Sequence, residues 1–171
     1  MKADVYWIRE VPVGRLAIMP RPRAGDWLVG EIKAWRNEGV SVIVSLLTPF
    51  EVIELGLQDE IRVCEANNIK FISFPIHDRQ VPRSVQMTGQ LVERIQAWLA
   101  EGHGVAIHCR MGVGRSALIA ACVLQKQGFG TAQAFAMIAK ARGIEVPDTD
   151  EQRRWAAGIV RNFAVLLSPR M

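Results

Sequence analysis

Residues 107–116 read "IHCRMGVGRS", and the chain enters and leaves this stretch through apolar segments. Before it, "VAIHC" (105–109) has the pattern of a short buried strand. After it, "SALIAACVL" (116–124) is apolar all round, as a helix enclosed by a core would be. A strand that turns through two glycines into a helix fits three kinds of loop: a nucleotide-binding turn, a thiol nucleophile in an anion cradle, or plain punctuation. "GVGRSA" (112–117) formally satisfies G-x-G-x-x-A. A dinucleotide fold, however, needs an acidic residue about 20 positions on to hold the ribose, and "QAFAMIAKA" (133–141) supplies none. A Walker loop needs lysine where Arg115 stands. The nucleotide reading fails on both counts.

The thiol reading accounts for more of the residues. Cys109 and Arg115 stand in the spacing C-x5-R, enough chain to curl round one tetrahedral oxyanion. The backbone N–H groups of Arg110, Met111, Gly112, Val113, Gly114 and Arg115 can then point inward, while the following helix adds its positive end. Gly112 and Gly114 permit the positive φ values and close backbone approach that such a curl demands. Arg115 offers a planar fork for two phosphate oxygens. The same positive field favours the thiolate of Cys109, the form that attacks phosphorus. Ser116 is positioned either to donate its hydroxyl to that sulfur or to cap the helix. The side chain of His108 should point away from that of Cys109, so an orienting or core role is expected for it.

Outward from this junction, elements alternate. Asp26 is expected to N-cap "WLVGEIKAWRNE", with Gly39 as its stop. "VSVIVSLL" (40–47) reads as a strand covered on both faces. "TPFE" (48–51) is a capping box of Thr48, Pro49 and Glu51. A short helix is expected over 58–67, a strand over "IKFISF" (69–74), and an irregular segment over "PIHDRQVPR" (75–83). Ser84 caps a helix expected to bury Met87, Leu91, Ile95 and Trp98 on one face. Helices over about 131–142 and 149–166 complete the pattern. Strands alternating with helices predict an α/β fold, a central mostly parallel (mixed) sheet flanked by helices. The 171 residues suit one domain over 1–171.

Composition narrows the function. Half of the residues are hydrophobic and 22% are charged, with a net charge of +4. That balance suits an anionic partner such as a phosphate ester. No block of like charges appears and aromatics are few, so no nucleic-acid partner is expected. No apolar run is long enough to span a bilayer and no signal peptide is evident, so no membrane role is expected and the setting is read as cytoplasmic and reducing. Cys64, Cys109 and Cys122 form no C-x-x-C pair. Neither a disulfide framework nor a metal site is indicated, and no cofactor is expected.

The loop resembles the H-C-x5-R-[ST] signature of the cysteine-dependent protein phosphatases. Its surroundings are similar to the small dual-specificity branch, close to the kinase-associated phosphatases. "GVSVIVSLLTPFEVIELGL" (39–57), "FPIHDRQVP" (74–82) and "VPDTDEQRRW" (146–155) fall where those enzymes carry corresponding segments, and the resemblance covers most of residues 12–165. It implies a protein-tyrosine-phosphatase-like fold with a phosphate-binding loop between strand and helix. It also implies a general acid about 30 residues before the nucleophile. Asp78 lies 31 positions before Cys109, with a plain turn role as the alternative and His77 and Glu51 as reserve acids. The physical need stands apart from the family, because a seryl or tyrosyl oxygen leaves poorly unless protonated. Asp78 must hold a proton while Cys109 lacks one, which predicts a bell-shaped pH profile with an acidic optimum.

By the same resemblance Gln152 either helps place the hydrolytic water or starts a helix. The chain shows no sign of the added segment that deepens the cleft of phosphotyrosine-specific relatives, so a shallower site is expected. The implied substrate is a phosphorylated protein or peptide carrying phosphotyrosine, phosphoserine or phosphothreonine, and phosphate, sulfate or vanadate would occupy the loop. Lipid phosphatases of the superfamily place lysines in the loop, where this chain has only Arg110, so a phosphoinositide or other small-molecule substrate is secondary. Arg79 and Arg83 either grip an anionic substrate or merely solubilise. Cys64 and Cys122 are read as packing residues, with a protective disulfide to Cys109 as the alternative. A rhodanese-like sulfurtransferase and a non-catalytic phosphoprotein-binding module are the rival functions.

Overall fold

The all-buried run Gly104–His108 forms β5, the middle strand of a five-stranded sheet. The structure, a computed structural model, describes residues 2–9 and 11–166, so the ends of the domain expected over 1–171 lie outside the described residues. The other strands are β1 (Tyr6–Trp7), β2 (Arg15–Met19), β3 (Val42–Ser45) and β4 (Lys70–Ser73), in the order β1-β2-β5-β3-β4. Only β1 runs antiparallel to its neighbour. In register, β5 sets Ile107 beside Ile18 of β2 and Val44 of β3, and His108 beside Met19 and Ser45.

Period-two alternation sorts these strands onto two cores. Leu16, Ile18, Val42, Val44, Val105 and Ile107 face one layer; Ala17, Met19, Ile43 and Ala106 face the other. The first layer holds α4 (Val85–Ala100), α5 (Arg115–Lys126), α6 (Thr131–Arg142) and α7 (Asp150–Leu166). The second holds α1 (Leu28–Asn37) and α3 (Glu60–Ala66). The short α2 (Pro49–Glu54) follows β3. This is the expected mixed, mostly parallel sheet with helices on both faces. α5 is buried from Arg115 to Gln125 because α4, α6 and α7 enclose it against the sheet. No helix among the described residues is long and apolar enough to cross a membrane.

Two helix expectations change. Asp26 does not cap α1: it sits inside a single 3-10 turn, Gly25–Trp27, that precedes the helix. The entering chain is held instead by Glu31, whose carboxylate accepts the Arg23 amide at 2.7 Å. On α4, Leu91 and Ile95 are buried as expected, but Met87 is 58% exposed and Thr88, Gly89, Val92 and Leu99 complete the buried face, with Trp98 only partly covered. Thr88 tolerates burial because its hydroxyl donates to the Ser84 carbonyl at 2.8 Å. The caps at Ser84 and Thr48 form as read, and Gly39 ends α1 with φ +99°.

Candidate active site

β5 stops at His108, so Cys109 opens the loop and Arg115 begins α5. Three backbone carbonyls of the loop turn outward. That of Arg110 accepts the Arg21 amide at 3.2 Å. Those of Met111 and Gly112 accept Arg142, from Nη2 at 3.2 Å and Nε at 3.0 Å. In a trans peptide the following N–H points the opposite way. Outward carbonyls at 110–112 therefore aim the amides of 111–113 into the loop. Arg142 on the last turn of α6 thus helps build the anion cradle, and nothing local in the sequence marks it.

The two glycines act differently. Gly112 has φ +68°, and a Cβ there would stand 2.5 Å from the Met19 carbonyl carbon, so both backbone sign and space require glycine. Gly114 has φ −89°, which corrects the expectation of positive φ at both positions. It is needed for close approach, since a Cβ there would land on the Asp148 carboxylate.

Cys109 is 3% exposed, and its sulfur lies 3.4 Å from the Ser116 hydroxyl. Ser116 is the second residue of α5 and Gly114 occupies the capping position, so Ser116 faces the thiol and does not cap the helix. Arg115 is 1% exposed and heavily bonded. Nη1 donates to Glu51 Oε2 and to the Ile76 carbonyl, both at 2.8 Å; Nη2 donates to Glu51 Oε1 at 2.9 Å. The Nη1–Nη2 edge is thus taken by Glu51, so two phosphate oxygens could reach only the Nε–Nη2 edge, which Asp78 adjoins. Asp78 Oδ1 stands 3.1 Å from Nη2, and its side chain is half exposed.

Burial pushes the Glu51 carboxyl up, but it is outweighed. Hydrogen bonds from Arg115, the Thr48 amide and Arg110, with the Arg115 charge, hold its pKa at about 2. A group that stays ionised at neutral pH cannot give up a proton there, so Glu51 is removed as a reserve acid and becomes the anchor of Arg115. His77, the other reserve, pairs its Nε2 with Arg83 Nη2 at 2.8 Å.

The segment carrying Asp78 is tied down at several points. The Ile76 amide donates to the Leu46 carbonyl at 3.0 Å. Gln152 is fully buried: its amide nitrogen donates to the Gln80 carbonyl at 3.1 Å, while its oxygen accepts the Thr149 amide at the start of α7 at 3.3 Å. Gln152 therefore starts a helix, as one reading had it, and also tethers the Asp78 loop. His108 lies on the opposite face from the cradle, fully buried, with Nε2 2.8 Å from Glu60 Oε1. Its Nδ1 lies 3.3 Å from the Cys109 carbonyl, the expected core and orienting position. Cys64 and Cys122 are buried free thiols. Burial raises both pKa values, that of Cys122 to about 12, and the charges of Glu60 and Glu65 add to the effect at Cys64.

Sequence reasoning placed Cys109, Arg115, Asp78 and Ser116, and the structure brings all four to one end of the sheet. It missed the pairing of Glu51 with Arg115, and Arg142 altogether. A buried arginine requires a buried anion, which was the one available signal for the first.

Residues 50–162 match the family model described as the dual specificity phosphatase catalytic domain. The chain belongs to that family. The matched span contains Glu51, Asp78, the whole 107–116 loop and Gln152, and the chain is a cysteine-based phosphatase. Among solved structures, it is similar to kinase associated phosphatase carrying serine in place of its catalytic-site cysteine. That likeness has TM-score 0.86 and 19% identity, over 96% of this chain and 97% of that one. It is similar to the active form of Tk-PTP, with TM-score 0.72 and 23% identity over 95% and 97% of the two chains. It is also similar to PTPMT1, with TM-score 0.73 and 17% identity over 94% and 98%. These likenesses establish the fold. No curated protein sequence matches the chain.

Proposed function

We propose that this phosphatase hydrolyses phosphate monoesters on proteins or peptides in two steps, without a metal, through a cysteinyl-phosphate intermediate. In the first step the Cys109 sulfur bonds to phosphorus, the ester P–O bond breaks, and the Asp78 carboxylic acid gives its proton to the leaving oxygen. The loop amides and the Nε–Nη2 edge of Arg115 hold the equatorial oxygens. In the second step a water oxygen bonds to phosphorus while Asp78, now a carboxylate, takes the water's proton. The P–S bond breaks, and the Ser116 hydroxyl donates to the departing thiolate. The observation that carries this reading is convergence: Ser116 Oγ lies 3.4 Å from the nucleophilic sulfur, and Asp78 lies 3.1 Å from the guanidinium that would grip the phosphate. A reducing, cytoplasmic setting fits an enzyme that depends on a free thiol.

Hydrolysis of an aryl phosphate by the wild type, Cys109→Ser and Asp78→Ala, with vanadate as inhibitor, tests the mechanism. Cys109→Ser should abolish turnover; full activity in it refutes the scheme. Dual-specificity phosphopeptides and phosphoinositide vesicles should then be compared directly. The second substrate class is included because PTPMT1, a fold neighbour, was solved in complex with PI(5)P. Sulfur transfer from thiosulfate to cyanide should be absent.

A further inference from the structure

We infer that the outer edge of β1, with α6 beside it, forms a docking groove for an extended acidic peptide segment. β1 ends the strand order, so nothing pairs with its outer side among the described residues. The Ile8 amide donates to the Leu16 carbonyl at 2.8 Å and Tyr6 is in register with Ile18. Alternation along an antiparallel strand then turns the main-chain groups of Trp7 away from β2 and toward solvent. An unpaired edge of this kind is a template for another strand.

A groove of about 420 Å³ runs beside that edge, between Val5, Trp7 and Arg9 on one wall and Met137 and Lys140 on the other. Its charged side chains are both cationic, and Arg9 and Lys140 make no ion pair among the described residues. No carboxylate lines the groove. An occupant must therefore supply acceptors and negative charge, and the strand edge selects an extended main chain over a small anion. Val5 and Met137 belong to opposite faces of the sheet, so each face of an added strand meets one apolar residue. The fitting segment is a strand that carries both acidic and apolar side chains on each face.

The groove also adjoins the phosphate loop. Arg142 lies 4.4 Å over the Tyr6 ring of β1 while its guanidinium holds the Met111 and Gly112 carbonyls. A substrate protein docked here would have its tether beside the loop that receives its phosphate.

The test titrates the isotopically labelled full chain, followed by NMR, with a short capped peptide of repeating Glu-Glu-Val-Val. Two controls accompany it: the same peptide with Lys for Glu, and the Glu/Val peptide N-methylated at alternate amides. The expected result is a shift of the Trp7 backbone amide and indole N–H. Arg9→Glu and Lys140→Glu should each weaken affinity about tenfold. Neither residue touches Cys109, Arg115 or Asp78, so aryl phosphate hydrolysis stays at the wild-type rate in both variants, and the binding result stands whatever becomes of the catalytic scheme. Equal binding of the lysine peptide or of the N-methylated peptide overturns the inference. So do Trp7 shifts that track protein concentration alone, which would mean that the edge pairs with a second copy of the chain.

Discussion

Glu51 grips Arg115 with both carboxylate oxygens, at 2.8 and 2.9 Å, across 64 positions of sequence. The same carboxylate closes the capping box on the Thr48 amide at 2.9 Å. One buried acid thus starts α2 and fixes the orientation of the phosphate-binding guanidinium.

Glu51→Ala leaves a buried arginine charge with only the half-exposed Asp78 carboxylate beside it. Breaking such a pair costs about 3–5 kcal/mol, so urea unfolding should show a loss of that order. Phosphatase activity should fall with it, because the freed guanidinium no longer presents its Nε–Nη2 edge. Wild-type stability in Glu51→Ala would mean that the ion pair does not hold the site.

The acid response follows from the sign of the same shift. Glu51 titrates at about 2 in the folded protein against an ordinary 4.5. A depressed folded-state pKa contributes stability in full above 4.5, and that contribution is lost as pH falls toward 2. The unfolding midpoint should therefore drop across this window, and more shallowly in Glu51→Gln. Parallel curves for the two proteins would sink the assignment.

Gln152→Ala removes the donor to the Gln80 carbonyl and loosens the loop that carries Asp78. The loss should be selective. Alkyl phosphates, whose leaving oxygen needs a proton, should lose about tenfold in kcat, a part of the roughly 10²–10⁴-fold that general acids contribute. Aryl phosphates with acidic leaving groups should change little. An equal loss on both would point to a merely structural role.

Gly112→Ala and Gly114→Ala should separate two causes of loop failure. At 112 the left-handed φ and the Met19 backbone leave no remedy, so vanadate inhibition should disappear. At 114 the obstacle is the Asp148 side chain, so adding Asp148→Ala should restore inhibition. A double variant as poor as Gly114→Ala alone would show that the contact is not the cause.

Much of this was legible before any coordinates. The β5–loop–α5 junction is a local pattern: an apolar run, a nucleophile, two glycines and an arginine at fixed spacing. The capping box at Thr48 and the N-cap at Ser84 were equally local. The α4 stripe was harder, because a helix face is set by the neighbours that cover it. Leu91 and Ile95 lie in the arc shared by both stripes, while Met87 and Thr88 exchange places once the sheet and α5 are present.

The sequence by itself determined the helices and the strands β3, β4 and β5, though not β1 or β2, together with the C-x5-R loop, the acid candidate in a proline-bounded segment and the resemblance those residues carry. These rest on interactions a few residues long, where backbone sterics and hydrogen bonding act. Only the tertiary structure decided that Glu51 anchors Arg115, that Arg142 turns the loop carbonyls outward and that Gln152 tethers the Asp78 loop. Those partners lie 64, 30 and 72 positions apart. What joins them is the parallel pairing of β3 and β5 and the enclosure of α5. A buried charge or carbonyl must be satisfied by whatever that packing delivers.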